Sequence, residues 1–240
     1  MTFRHGRRRT ERKLIMPLDG LSCYLDYLPG QNSQLVYDAS GLSLGAWQLG
    51  STLASDTNDP AWTPQGLTFD STDYHGLPLQ AVRSIGWVFY TPTNITPATP
   101  EIKILNDAST TNLSLGASTG ALTNEVITLA WVDGAGTGRV AWTGAGIQIA
   151  AGWHVLQCNF DGVAWRIRLD GVLLPLASVG SSHRELPAAG LRRHGSSPSS
   201  MVGMTSAALR LGTVGLSVAG EQDERDFLKL DCLRKHGVVL

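Results

Sequence analysis

Apolar and polar residues alternate from Trp153 to Leu174 (WHVLQCNFDGVAWRIRLDGVLL), and the alternation is punctuated by two Asp-Gly pairs, Asp161-Gly162 and Asp170-Gly171. Asp-Gly between alternating runs predicts a two-residue type I′ hairpin turn, because both central residues need positive φ. Two such turns predict a three-stranded antiparallel meander. The first sets Phe160 opposite Val163, Cys158 opposite Trp165 and Leu156 opposite Ile167. The second sets Leu169 opposite Val172 and Ile167 opposite Leu174. Leu156, Cys158, Phe160, Val163, Trp165, Ile167, Leu169, Val172 and Leu174 then share one buried face, which a one-residue slip would scatter. The other face carries Val155, Gln157, Asn159, Ala164, Arg166 and Arg168, a polar surface expected to be solvated or to meet a ligand.

Shorter runs predict further strands at 21–28, 34–38, 67–70, 101–105, 112–116, 126–132, 139–142 and 208–211. The stretch 79–90 is apolar enough for one long central strand. Ser55–Gln65 and Thr91–Pro100 read as connectors, and Ser178–Ser206, rich in Ser, Gly and Pro, as a long surface loop. The last segment changes period. Ser217 is a plausible N-cap, Glu221, Asp223 and Glu224 fall in the early turns, and Phe227, Leu230 and Leu233 mark an apolar stripe. Lys235 and His236 then fall in the last turn before a Gly237 stop, which predicts a helix over 217–236.

Many glycine-bearing turns between short strands place the chain in the all-β class, as a two-sheet antiparallel sandwich with one C-terminal helix. The 240 residues include 27 glycines, and only 16% are charged. Net charge is −1 but uneven. Residues 1–13 hold Arg4, Arg7, Arg8, Arg9, Arg12 and Lys13 against Glu11, whereas the rest hold 13 basic and 19 acidic groups. Residues 1–16 are therefore read as a basic arm and 17–240 as the domain. Leu14-Ile15-Met16 is followed at once by Pro17, so no secretory signal is expected, and no run is long enough to span a membrane. The three cysteines, Cys23, Cys158 and Cys232, are odd in number and widely spaced. Neither a disulfide framework nor a zinc site is expected from them.

Three segments in order resemble the concanavalin A-like, laminin-G-like jelly-roll superfamily. LVYDASGLSLGAWQLG through GLTFDSTDY (35–74) is similar to its opening "D-x-S-G … G-L-x-F-D-G-x-D-D-Y". GWHVLQCNFDGVAWRIRLDGVLL (152–174) is similar to "W-H-H-V-A-x-x-Y-D-G … L-Y-V-D-G". LSVAGEQDERDFLKLDCLRKHGV (216–238) resembles the closing "L-S-D-A-E-R-x-x-L-x-x-Y-L-x-x-K-Y-G" helix. The resemblance implies a jelly roll. Ser71 in place of glycine, and Gln157-Cys158-Asn159 in place of a small apolar stretch, depart from the pattern and weaken any family calcium site.

That superfold hosts glycosidases, lectins and structural modules, so the site must decide. The laminarinase-like branch carries its carboxylates on one strand as E-x-D-x-x-E. The comparable run here, Glu221 to Asp226, lies in the helical segment and reads as a solvated first turn, so no catalytic residue is assigned. Gly134–Gly138 reads as a hairpin tip, because a strand rather than a helix follows it. His154 reads as a satisfied core histidine, while His183 and His194 sit in the long loop without metal-ligand spacing. No cofactor or metal is expected. The glycan- or partner-binding candidates are Trp131, Trp142, Gln157, Asn159, Arg166 and Arg168. The basic arm suits docking on a partner and could meet nucleic acid only through phosphate charge. Taken with the resemblance, these features imply a non-catalytic module of a larger assembly, a bacteriophage virion protein of the tail or capsid surface. Its partners would be other virion proteins, copies of itself or a cell-surface glycan, with no membrane. The alternatives are a laminarinase-like glycoside hydrolase and a stand-alone carbohydrate-binding lectin module.

Overall fold

The computed structural model describes residues 20–28, 34–40, 42, 45–52, 54, 57–70, 72–78, 80–106, 111–116, 126–132, 138–143, 146–179, 185–186, 192–195 and 201–240. The basic arm, its boundary with the domain, and His183 lie outside them. The first strands are β1 (Leu21–Asp26), β2 (Leu35–Tyr37), β3 (Ala46–Gln48), β4 (Ala61–Thr63), β5 (Gly66–Thr68) and β6 (Tyr74–Leu77). Then come β7 (Ser84–Thr91), β8 (Ile102–Asn106), β9 (Thr111–Leu115), β10 (Ile127–Val132), β11 (Gly138–Thr143) and β12 (Gly152–Phe160). The chain closes with β13 (Trp165–Leu169), β14 (Val172–Leu173), β15 (Leu176–Val179), β16 (Arg192–Gly195), β17 (Thr205–Gly212) and the helix α1 (Val218–His236).

The strands form an antiparallel sandwich. One sheet runs β14-β13-β12-β7-β17-β5-β4, with β1 also pairing with β17. The other runs β15-β11-β10-β9-β8-β16-β6, and β2 and β3 form a separate hairpin. Trp87, Phe89, Leu156, Ile167 and Leu209 from the first sheet share one core with Ile104, Leu113, Leu115, Ile127 and Leu129 from the second. The long central strand is present as β7. It lies between β12 and β17, and the β17 residues are buried on both faces.

The meander is present, with one register corrected. At the second turn Leu169 faces Val172, and Asp170 and Gly171 have φ of 52° and 87°, the geometry expected for Asp-Gly. At the first turn Phe160 pairs with Trp165, Cys158 with Ile167 and Leu156 with Leu169, two residues away from the predicted pairing. Asp161 causes the shift. Its Oδ1 accepts the backbone N–H groups of Val163 and Ala164, each at 2.9 Å, and closes a four-residue loop instead. A shift of two keeps every side chain on its face, so the buried set survives except beside the turns. Val163 and Val172 are exposed.

Two connectors are corrected as well. Ala61–Thr63, within the predicted loop 55–65, is β4 and pairs with β5. The predicted loop 178–206 contains β16, which pairs with both β6 and β8. His194 therefore lies in a strand, fully buried and opposite His75.

Those two histidines belong to a polar chain that crosses between the sheets. The Trp87 indole N–H donates to Ser206 Oγ at 2.9 Å. With that lone pair taken, the Ser206 hydroxyl donates to His194 Nε2 at 2.8 Å, and His194 Nδ1–H reaches the Ile104 carbonyl at 3.2 Å. Beside it the Tyr27 hydroxyl donates to His75 Nε2 at 2.7 Å, and His75 Nδ1–H donates to the Gly76 carbonyl at 2.8 Å. Both imidazoles are thereby held neutral. Burial depresses His75 to about 4 and, with His75 close by, holds His194 well below the ordinary histidine value.

An unfolded chain takes up protons at these histidines below pH 6.5, and the folded chain does not. Their contribution to stability is complete above 6.5 and is lost as pH falls toward 4. Asp73, lifted by burial to about 6, contributes a slope of the opposite sign. A His75→Gln variant shares that opposing slope, so the comparison isolates His75. In urea unfolding between pH 6.5 and 4.5, the native chain should lose about 1 kcal/mol per pH unit relative to His75→Gln. Parallel pH profiles would contradict this protonation state.

Candidate functional site

The helix begins and ends where its residues predict. Ser217 accepts the Gly220 N–H, and Gly237 closes the C-terminus in the left-handed region. Its buried edge is a different one from that expected. Glu221, Glu224, Leu228, Cys232 and His236 recur at three- and four-residue spacing and face the outer side of the eight-stranded sheet, whereas Leu233 is exposed. The seam has three parts. Leu228 and Cys232 pack in its middle on Tyr24, Val88, Val155 and Ala208. At one end His236 Nε2 and Lys235 Nζ meet Asp26 at 2.8 and 2.5 Å. At the other end stand the two glutamates.

Glu221 and Glu224 explain the polar face of the meander. Arg166 Nε donates to Glu221 Oε1 and Arg168 Nε to Glu221 Oε2, both at 2.8 Å. Asn159 Nδ2 reaches the same Oε1 at 2.8 Å and the Leu216 carbonyl at 2.5 Å. Glu224 Oε1 accepts from Arg210 Nη1 at 2.8 Å, and Glu224 Oε2 from Gln157 Nε2 at 2.6 Å. Burial raises the Glu224 pKa, with Arg210 and Gln157 offsetting part of the rise. Gly86 in β7 leaves the room this needs. A Cβ there would lie 2.8 Å from Glu224 Oε1 and 3.0 Å from Leu228 Cδ1.

The expectation of a wet outer sheet is therefore corrected, since Gln157 and Asn159 are each 2% exposed beneath the helix. The expectation of a solvated first helical turn falls for the same reason. Glu221 and Glu224 are buried, and Asp223 is exposed. These carboxylates do not converge on a common cleft as an E-x-D-x-x-E strand would arrange them.

Trp131 and Trp142 lie on β10 and β11 of the other sheet, opposite Arg139 and Thr128. The structure thus separates them from the four polar candidates. His154 is satisfied, with Nδ1 on Asp170 Oδ2 and Nε2 on the Ala150 carbonyl, each at 2.8 Å. Burial pulls its pKa down, but those two partners outweigh it and the net direction is up. Among the described residues no group of three or more His, Cys, Asp and Glu side chains is placed to hold a metal ion.

Where the helix N-terminus overhangs the Asp170-Gly171 turn, a cleft of about 570 Å³ opens, lined by Gln157, Arg168, Gly171, Val218, Ala219, Glu221, Gln222 and Arg225. Two of the predicted candidates, Gln157 and Arg168, reach it. Gln222 and Arg225 were not among the predicted site residues, and nothing in strand periodicity points to them. The Arg225 guanidinium lies over the turn and hydrogen-bonds the Gln222 side chain. A Cβ on Gly171 would meet only that guanidinium, the far end of a flexible side chain, so it is the positive φ that calls for glycine there. The cleft is rich in hydrogen-bond donors, and Val218 and Ala219 form its apolar side.

No protein-family model matches the sequence, and no curated protein matches it. Solved structures do match in shape. Trypanosoma rangeli sialidase in complex with sialic acid is 13% identical with a TM-score of 0.52, over 90% of this chain and 34% of that one. The botulinum neurotoxin serotype D ligand-binding domain in complex with N-acetylneuraminic acid is 12% identical with a TM-score of 0.52, over 88% and 52%. Domain 4 of AbnA, a GH43 extracellular arabinanase from Geobacillus stearothermophilus, in complex with arabinotriose, is 14% identical with a TM-score of 0.51, over 85% and 98%. The chain spans about a third of the first and half of the second. At these identities the likeness is one of fold.

The buried pairing makes a double-mutant cycle informative. Glu224→Leu removes the buried carboxylate that Arg210 meets at 2.8 Å and should cost about 3–5 kcal/mol in urea unfolding. Combining it with Arg210→Met should recover most of that loss. Additive losses would contradict the pairing as the origin of the effect.

Proposed function

We propose that this chain is a non-catalytic glycan-binding module of the concanavalin A-like type, and that the cleft beneath the N-terminus of α1 is its binding site. The observation that carries this reading is the lining of the cleft. Guanidinium and amide groups from three separate segments converge beside an apolar wall, the combination that orients and stacks a sugar ring. The neighbouring folds named above, crystallised with sialic acid or arabinotriose, support it by analogy. No catalytic role is assigned to Glu221, because both of its oxygens are held by Arg166, Arg168 and Asn159.

A second reading places the glycan on the seven-stranded sheet. Ser114 and Thr128 face each other across β9 and β10, both buried, and neither hydroxyl has a hydrogen-bond partner among the described residues. Thr128 is also the cross-strand neighbour of Trp142. The setting we propose is the surface of a bacteriophage particle, where other virion proteins or copies of the chain would receive the basic arm. The uneven charge and the superfamily resemblance support that setting, and mass spectrometry of purified particles tests it.

On a glycan array the native chain should bind a defined subset of saccharides. The Gln222→Ala/Arg225→Ala variant should lose about tenfold or more in affinity for them, with its melting temperature unchanged. If Trp142→Ala removes binding and the helix variant does not, the second reading replaces the first. Absence of all glycan binding would contradict both.

A further inference from the structure

We infer that the cleft selects saccharides bearing a carboxylate, a uronic or nonulosonic acid residue, over neutral sugars. The inference rests on the glycan-binding reading above and names the class of ligand. Among the described residues, the ionisable side chains lining the cleft are Arg168, Arg225 and Glu221. Glu221 is the only anion among them, and Arg166, Arg168 and Asn159 already occupy its two oxygens. The arginines are not used up in the same way. Arg168 gives Nε–H to Glu221 and one Nη1–H to the Gly171 carbonyl, and a guanidinium has five N–H groups. Arg225 gives Nη2–H to Gln222, and its Nε lies 3.7 Å from Asp226.

The first backbone N–H groups of α1 add to this. Ser217 takes the N–H groups of Gly220 and Glu221 through its side chain and carbonyl, whereas those of Val218 and Ala219 precede any intrahelical acceptor. Both residues line the cleft. The local field therefore favours an anion, although the chain beyond the arm carries an excess of acidic groups.

Gln157 separates a sugar acid from a simple anion. It is 2% exposed and lines the cleft. Its Nε2 donates to the Glu221 carbonyl at 2.8 Å and to Glu224 Oε2 at 2.6 Å, while Oε1 receives a hydrogen bond from no described residue. Gln157 lines the cleft, so a carbonyl oxygen open to it can accept a ligand O–H in place of water. Sulfate has no O–H to donate at neutral pH, and the P–OH of phosphate comes without ring carbons to lie on Val218 and Ala219. A sugar hydroxyl beside a carboxylate supplies both halves, its carboxylate to the arginines and its O–H to Gln157. The ring carbons would then lie on Val218 and Ala219.

Calorimetric titration with sodium glucuronate, sodium N-acetylneuraminate and the methyl ester of each tests the inference. At least one free acid should bind about tenfold or more tightly than its uncharged ester. Arg225→Gln should bring the ratio of acid to ester affinity close to one. Gln157→Leu should weaken the acid, with far-UV circular dichroism checking that α1 remains folded, and inorganic phosphate should compete poorly. Equal binding of acid and ester, together with neutral glycans bound on the array, overturns the acid preference and leaves the glycan-binding reading standing. Phosphate competing as well as the sugar acid overturns it in favour of a plain anion site. No binding of any saccharide overturns both.

Discussion

A helix with two glutamates along its buried edge can sit only on a sheet that offers cations in register. That requirement organises the outer half of this protein. β13 alternates Trp165, Ile167 and Leu169 into the core with Arg166 and Arg168 outward, and β17 places Arg210 beneath the same helix. Taking these charges out of water carries a large penalty, which only close and complete pairing offsets. The pairing is close: each glutamate oxygen has a donor at 2.6–2.8 Å. The apolar part of the seam is short, with Leu228 and Cys232 at its centre, so direction and register come from the charged ends.

The same seating builds the cleft. Because Glu221 is pinned over β13, the N-terminus of α1 overhangs the Asp170-Gly171 turn, and Arg225, one turn along the helix, reaches back across Gly171. The turn is fixed from below as well, since Asp170 accepts the Val155 N–H at 2.9 Å and holds His154. The groups that would meet a ligand thus stand on a strand, a clamped turn and a capped helix rather than on free loops. Such a preorganised site loses little entropy on binding. On the opposite side of the eight-stranded sheet, the Trp87, Ser206 and His194 chain ties it to the second sheet through neutral histidines.

The fold was legible where a simple period governs. Alternation assigned each face of the meander, and the caps Ser217 and Gly237 bounded the helix. The first hairpin register was missed by two residues because an aspartate side chain can close a longer loop, and alternation is blind to shifts of two. β16 was missed because Arg192-Arg193-His194-Gly195 carries no apolar alternation, and its histidine is buried only through the Ser206 network. The helix seam was missed for a related reason. An apolar stripe is the usual mark of a buried helix edge, and Phe227, Leu230 and Leu233 form one, but the edge that is buried here holds charges. Two arginines alternating on β13 and two glutamates three residues apart were both visible in the sequence. The pairing of both arginines with Glu221 was not, because more than fifty residues separate them. The candidates Gln157 and Arg168 reached the cleft in part through that missed contact, and Gln222 and Arg225 entered it only through the helix.

The proposed ligand site exists because buried charge seats the helix over the Asp170-Gly171 turn. Mapping backbone amide shifts in an NMR titration with N-acetylneuraminate tests it most directly. The account predicts saturable shifts concentrated at Gly171, Val218, Ala219, Gln222 and Arg225, with β10 and β11 undisturbed. Shifts confined to the strands around Trp131 and Trp142, with the helix N-terminus silent, would contradict it.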